Sequence, residues 1–289
     1  MPELRVTALY SYPVKGAAGI AHEVADVGPA GLAGDRSFMV VDPDGVYRTQ
    51  RADPRLAVIR PGWAEDGAVL TLAAPDTRSI AVPVDRAGAR RPVQLFRAQY
   101  AGIDQGGAVA DWLTAVLGKP SRLVAVPPEH DRATDGHTPG TSGYADSSAV
   151  HLFAEESMAD LNSRLDVPLP IARFRPNIVV AGAEAFAEDA VRHIAAEEVE
   201  LGWTKLAVRC AVTLVDPATG RRAGPEPLRT LARYRRVPAG GVVFGTKFAV
   251  LRPGRLRVGA VLSASPTSPG AEAPDASASA TRAAAGWPG

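Results

Sequence analysis

The first hundred residues are dominated by short apolar runs, each cut off after a few positions by Pro, Gly, Asp or Ser. A run with period two separates an apolar face from a polar one only when it is extended. Residues 5–14 alternate in part and are interrupted at Pro13. Residues 37–41 lead into Asp42-Pro43-Asp44-Gly45 and then residues 46–51, the pattern of a hairpin with turn chemistry at its centre. Residues 68–72, 79–84 and 93–98 continue the series. Strands this short and this closely spaced bury their apolar faces as a barrel or a sandwich. One helix is expected at residues 109–117, where Val109, Leu113 and Val116 share a face and Gly118 is a natural stop.

Residues 129–143 are polar and rich in Pro, Gly and Thr, and they mark a boundary. Their two histidines, His130 and His137, have no evident third ligand and read as members of a solvated loop. Beyond them, residues 149–154 are strand-like and residues 155–165 helical, with Met158, Leu161 and Leu165 at spacings of three and four. Strands are expected at residues 177–180, 199–203, 206–215 and 248–261, and a short helix at residues 227–235. Residues 263–289 are Ala, Ser, Pro and Gly with Trp287 as the one large apolar side chain, too little to offset ordering entropy, so a disordered tail is expected. The class is mainly β with a few helices (α+β): a barrel-like unit over residues 1–125, a second unit over 126–262, and the tail.

The 289 residues leave ample core for two units. Lys plus Arg number 32 against 31 Asp plus Glu, which gives no electrostatic reason to expect nucleic acid or an anionic membrane as a partner. The N-terminus lacks the apolar core of a signal peptide, and no run approaches the roughly 20 apolar residues of a membrane span. A single cysteine rules out an intrachain disulfide framework or a cysteine-ligated iron–sulfur cluster and suits a reducing cytoplasm. The abundance of Ala, Gly, Arg and Pro has the look of a high-GC bacterial proteome.

That cysteine, Cys210, lies in Val208-Arg209-Cys210-Ala211-Val212-Thr213-Leu214-Val215, with Asp216-Pro217-Ala218-Thr219-Gly220 supplying a turn. A thiolate is a strong nucleophile and a soft metal ligand, and a nearby cation favours it. Arg209 is adjacent, although on a strand it would face the other way. Taken alone, a lone cysteine is usually a small buried hydrophobe.

Other segments narrow the choice. Tyr12-Pro13-Val14-Lys15-Gly16 is followed some twenty residues on by Gly34-Asp35-Arg36. Tyr144-Ala145-Asp146-Ser147-Ser148 precedes the second unit's first strand, and Phe174-Arg175-Pro176-Asn177-Ile178-Val179 its next. Glu226-Pro227-Leu228-Arg229-Thr230-Leu231 and Phe244-Gly245 flank the far side of the Cys210 segment. In this order the set resembles the MOSC family, named after the C-terminal domain of molybdenum cofactor sulfurase, and its amidoxime-reducing branch most of all. The first unit looks like the β-barrel domain that often precedes it. The resemblance spans residues 4–262.

The resemblance implies a molybdenum cofactor, a metal held by the dithiolene of a phosphorylated pterin, with a protein cysteine at the position of Cys210 completing the sulfur ligation. It implies Lys15, Arg36 and Arg175 as anchors for phosphate or pterin, Ser147 and Ser148 as donors, Asn177 at a pterin edge, and Arg209 neutralising charge near the metal. Gln50 and Arg51 would lie near the site, and Asp216 would orient the strand end or simply make a turn. Two departures stand out: Val208 where amidoxime-reducing relatives carry a small polar residue, and Lys247 where an aromatic can occur. The implied reaction is reduction of a small N-hydroxylated molecule by electrons from a separate ferredoxin-, flavin- or cytochrome-type protein, since no cysteines remain for a fused ferredoxin domain. A non-catalytic cofactor carrier, or a sulfur relay through a persulfide on Cys210, remains open.

Overall fold

The computed structural model describes residues 3–238 and 240–266. Seven strands, numbered here in chain order, form its central barrel: β1 (Leu4–Ser11), β2 (Val150–Ala154), β3 (Ile178–Ala181), β4 (Val191–Ala196), β5 (Val199–Arg209), β6 (Val242–Arg252) and β7 (Val261–Pro266). They neighbour one another in the order β3-β2-β6-β5-β4-β7-β1, and β1 pairs with β3 to close the ring. The strand at the start of the described chain therefore seals a barrel whose other six strands lie beyond residue 149. Leu4 pairs with Leu262, and Leu9 with Ile178. Closure leaves no free edge along the seven barrel strands described.

Only β2 and β3 run parallel, joined by the crossover helix α2 (Glu155–Ser163), as parallel neighbours require. Its Met158 and Leu161 pack on Phe153, Phe174, Leu231 and Phe244 outside the barrel. Inside, Val6, Leu9, Val150, Leu152, Ile178, Val180, Leu201 and Phe248 fill the lumen with side chains rather than water.

The intervening chain forms a four-stranded antiparallel sheet of Phe38–Val41, Arg122–Ala125, Ala98–Asp104 and Arg90–Leu95, and a three-stranded one from Arg60–Ala64, Val69–Ala74 and Thr77–Pro83. Helix α1 (Gly107–Leu117) covers them with Val109, Trp112, Leu113 and Val116, and Gly118 ends it with a left-handed backbone. The expected hairpin turn at Asp42 is present, closed by the Gly45 amide on the Asp42 carbonyl at 3.0 Å. Only Val46 and Tyr47 of its second arm then bridge to neighbours, and the chain leaves the sheet towards the barrel.

Strand β7 continues four residues beyond Leu262, because Ser263, Ala264 and Ser265 pair with Ala195, Ile194 and His193. The rest of the tail expected from composition lies outside the described residues. Among those described, no helix is long and apolar enough to cross a membrane.

Candidate functional site

The far end of β1 meets the near ends of β2 and β3, and the far end of β5 is joined to them by the side chain of Arg209, which donates to His151 on β2. Strand β5 stops at Arg209, where its partner β6 begins at Val242. With no strand beside it, the chain turns at Cys210 into a 3₁₀ turn, Ala211–Leu214, instead of continuing extended to residue 215 as the alternation suggests. The Thr213 amide and hydroxyl both donate to the Cys210 carbonyl, at 3.1 and 3.0 Å. Cys210 is half-buried at this corner, with Val208 turned outwards, 51% exposed. Arg51 reaches across from the first half of the chain, its Nη1 3.8 Å from Sγ and its Nη2 3.3 Å from the Tyr47 hydroxyl. Arg209 instead packs against the Phe174 ring and donates to the Phe244 carbonyl at 2.7 Å and the Phe174 carbonyl at 3.3 Å.

Lys15, just past β1, is buried and donates to the Tyr144 carbonyl at 3.0 Å while pairing with Asp146. Burial pushes its pKa down and Asp146 opposes that. Arg36 and Arg175 both hold left-handed backbones, with φ of 46° and 56°. Such a conformation costs of order 1 kcal/mol for a non-glycine residue and persists only where surrounding contacts impose it. Both guanidinium groups lie on the ring of Tyr12, at 4.4 and 4.2 Å from its centroid. Arg36 Nη1 donates to Asp35 Oδ1 at 2.7 Å and to Asn177 Oδ1 at 3.1 Å, and its Nη2 to the Arg175 carbonyl at 3.3 Å. Arg175 Nη1 donates to the Ala17 carbonyl. Burial, reinforced by Arg36, lowers Arg175 to about 10.

Asn177 is 1% exposed and uses its whole amide. Its Nδ2 donates to the Tyr10 carbonyl at 3.0 Å and Asp35 Oδ1 at 3.1 Å, while its Oδ1 accepts from Arg36 and from the His151 amide at 3.2 Å. It is the knot between β1, β2 and the Asp35 turn. His151 on β2 is 5% exposed; Arg209 donates to its Nε2, which leaves the Nδ1 proton facing the Arg175 carbonyl at 3.4 Å. Burial and the Arg209 charge hold it well below the usual histidine range, so it is neutral.

Lys247 on β6 pairs across the sheet with His151. Its ammonium makes no hydrogen bond among the described residues; burial lowers its pKa to about 7, with Asp146 opposing and Arg209 and Arg36 assisting. Ser148 is buried with its hydroxyl on Thr204 Oγ1 at 2.7 Å, and the Ser147 carbonyl accepts from Ser142 Oγ at 2.9 Å. Gln50 Nε2 braces the turn after Lys15 through the Gly16 carbonyl at 2.6 Å. Asp216 accepts from the Ala218 amide at 2.8 Å, a turn contact. The His130 ring packs against Tyr144 and Tyr100, and His137 lies near Trp203.

Lys15, Arg36, Arg175, Arg209 and Lys247 thus share two carboxylates, Asp35 and Asp146. Positive charge that a protein leaves unmatched in a partly buried site suits an anion with several oxygens. A soft sulfur stands at the edge of the same cradle. No group of three or more His, Cys, Asp or Glu that could hold a metal by itself exists among the described residues. Sequence reading assigned no part to Asp35, Tyr12 or His151. Asp35 is visible within Gly34-Asp35-Arg36, whereas His151 sits unmarked in an apolar strand.

Residues 3–120 match the MOSC N-terminal beta barrel domain and residues 139–263 the MOSC domain. The chain is 33% identical over 274 residues to mitochondrial amidoxime-reducing component 1 of Homo sapiens, covering 88% of this chain and 81% of that protein. It is 34% identical over 280 residues to mitochondrial amidoxime reducing component 2 of Rattus norvegicus, covering 88% and 81%.

Proposed function

We propose that this chain, which belongs to the MOSC family, binds the molybdenum cofactor beside the Cys210 corner and reduces small N-hydroxylated molecules with electrons from a separate donor protein. The observation that carries the reading is Cys210, turned out of the end of β5 beside a cradle of cations that outnumber their carboxylates. The names of the amidoxime-reducing relatives supply the reaction class.

The residues present fit the group. A pterin phosphate needs several cationic donors, and Lys15, Arg36, Arg175 and Lys247 are held ready for it, the last without a hydrogen-bond partner among the described residues. A thiolate suits a metal already bound by sulfur, and Cys210 supplies it. When bound, the cofactor supplies the two-electron chemistry for cleaving an N–O bond with release of water. The chain's part is to bind and orient. Arg51 donates towards the Cys210 sulfur. Arg209 and Thr213 fix the corner that presents it. Asn177 and Asp35 act at one remove, by holding Arg36 and Arg175 on Tyr12. The Ser147 hydroxyl, rather than that of Ser148, is the one left to meet a ligand. Neutral His151 adds no charge to an already cationic site. The donor protein, of ferredoxin, flavin or cytochrome type, is a separate molecule, and we place the reaction in the cytoplasm because a lone thiol suits a reducing compartment.

The test is molybdenum and released pterin per chain after purification from a cofactor-proficient host, for wild type and Cys210→Ala, followed by benzamidoxime reduction with reduced viologen. Near-stoichiometric metal and pterin in the wild type, loss of metal in the variant and viologen-driven turnover are expected. A folded wild type free of both, carrying a persulfide on Cys210, would overturn the reading in favour of a sulfur relay.

A further inference from the structure

Arg173 has no part in that cofactor cradle, and its surroundings are unusual. It is 7% exposed, yet its buried Nε has no hydrogen-bond partner. Its Nη1 reaches two carbonyls only, Thr213 at 3.3 Å and Glu226 at 3.4 Å. No carboxylate lies within ion-pair distance of it among the described residues; Asp216 lends its charge from further off, and burial lowers its pKa. A guanidinium taken out of water ordinarily brings a carboxylate with it, because a desolvated charge is costly unless paired.

Arg173 lines a cavity of about 210 Å³. Its walls include Tyr10, Tyr12, Gln50, Arg175, Val215 and Pro217, so it borders the cradle through Arg175 and Tyr12. The cavity therefore joins the unpaired Arg173, and Arg175 of the neighbouring cradle, to an aromatic and apolar surround, the chemistry of a small carboxylate with an apolar body. It also lies against the Cys210 corner from two sides. Gln50 immediately precedes Arg51, whose Nη1 approaches Sγ, and the Thr213 carbonyl that receives Arg173 belongs to the residue whose amide closes on Cys210.

We propose that this cavity is a carboxylate subsite, in which Arg173 holds the anionic end of the substrate while the remainder extends towards the Cys210 corner. Resting on the reductase reading, this assigns the substrate class: N-hydroxylated compounds that carry a carboxylate on a small aromatic or aliphatic frame.

Binding is tested without turnover. Benzoate and its neutral counterpart benzamide are titrated by calorimetry into wild type, Arg173→Met, Arg173→Lys and Ala18→Phe, the last filling the cavity from its rim with Arg173 intact. Saturable benzoate binding by wild type is expected. The affinity falls about tenfold or more in Arg173→Met, less in Arg173→Lys, and is lost in Ala18→Phe; benzamide binds about tenfold more weakly. Absence of wild-type binding, equal binding of benzamide, or undiminished binding in Ala18→Phe overturns the subsite even if Arg173→Met does not fold. In the second arm, 4-carboxybenzamidoxime and benzamidoxime are compared in the viologen assay. The carboxylated compound is expected to show about a tenfold lower KM in wild type at similar kcat, an advantage lost in Arg173→Lys and Arg173→Met. Equal KM values with intact benzoate binding overturn the substrate assignment and leave the reductase reading standing. Turnover of neither compound by a metal-loaded chain overturns the reductase reading, while the titration still decides the subsite.

Discussion

Arg51 Nη1 lies 3.8 Å from Cys210 Sγ, joining two residues 159 positions apart. A donor beside a sulfur ligand tunes the metal it holds. Cys210→Ser is expected to fold, with its melting temperature within a few degrees of wild type, because the side chain is only half-buried. It should lose molybdenum and benzamidoxime reduction. Arg51→Met should keep the metal in part and lose activity by about tenfold, the usual scale for removing a group that tunes a ligand. Metal analysis beside the viologen assay separates the two effects.

Lys247 carries a pH dependence whose sign follows from its lowered pKa. The unfolded chain holds this proton up to about 10.5, whereas the folded chain releases it near 7. Between those values the unfolded state binds more protons, so stability rises with pH across that window, and the penalty is fully present below pH 7. Lys247→Met should therefore raise the melting temperature of cofactor-free protein more at pH 6 than at pH 10. Cofactor retention should run the other way: wild type loses pterin more readily as pH climbs through 7, and the variant shows a flat profile. Dialysis followed by pterin fluorescence reads this directly.

His151 gives a test of the same sign at acid pH. It is neutral in the fold and ionises near 6.5 when unfolded, so stability is present above that value and is lost as pH falls below it. His151→Gln, which keeps an acceptor for Arg209, should flatten the melting curve against pH between 6.5 and 4.5. An unchanged slope would place the acid sensitivity elsewhere.

Gly245 occupies φ +76°, and a Cβ there would meet His151 Nε2 at 2.7 Å and Phe153 Cδ2 at 2.8 Å. Both neighbours are buried and neither can retreat. Gly245→Ala should cost about 2 kcal/mol or more, backbone strain and overpacking acting together. It should displace His151 and so weaken pterin retention, measurable by thermal melts and pterin content on the same sample.

Much of this site can be read from residues that are close in sequence. Lys15, Arg36, Arg175, Arg209 and Cys210 each sit in a short segment whose turn residues mark it, and the fold brings them into one neighbourhood beside the barrel. Their division of labour depends on neighbours far along the chain. Residues 206–215 alternate as a strand should, yet extension stops at Arg209 because β6 starts at Val242 and offers nothing beyond it. The helix expected over residues 227–235 shrinks to Leu228–Leu231, after which the Arg236 region bridges back to Val242. Asn177 looks like a residue for reading a ligand edge, but four partners from three separate segments exhaust its amide. Strands Arg122–Ala125 and Val191–Ala196 escape notice because they are short and take their register from partners rather than from their own pattern.

Strand β1 leaves the ribosome long before the segments that flank it. Leu9 must wait for Ile178, and Leu4 for Leu262. Contacts this distant in sequence slow folding, and until they form β1, apart from the pairing of its Leu9–Ser11 end with the nearby Ile20–His22, is an exposed edge open to pairing with other chains. The order of synthesis and the order of assembly are thus reversed for this strand: what is translated first is locked in last. Chaperone dependence and aggregation during overexpression should track the interval between those two events, and supplying Leu4–Ser11 as a separate peptide to a chain lacking it should rescue closure in trans.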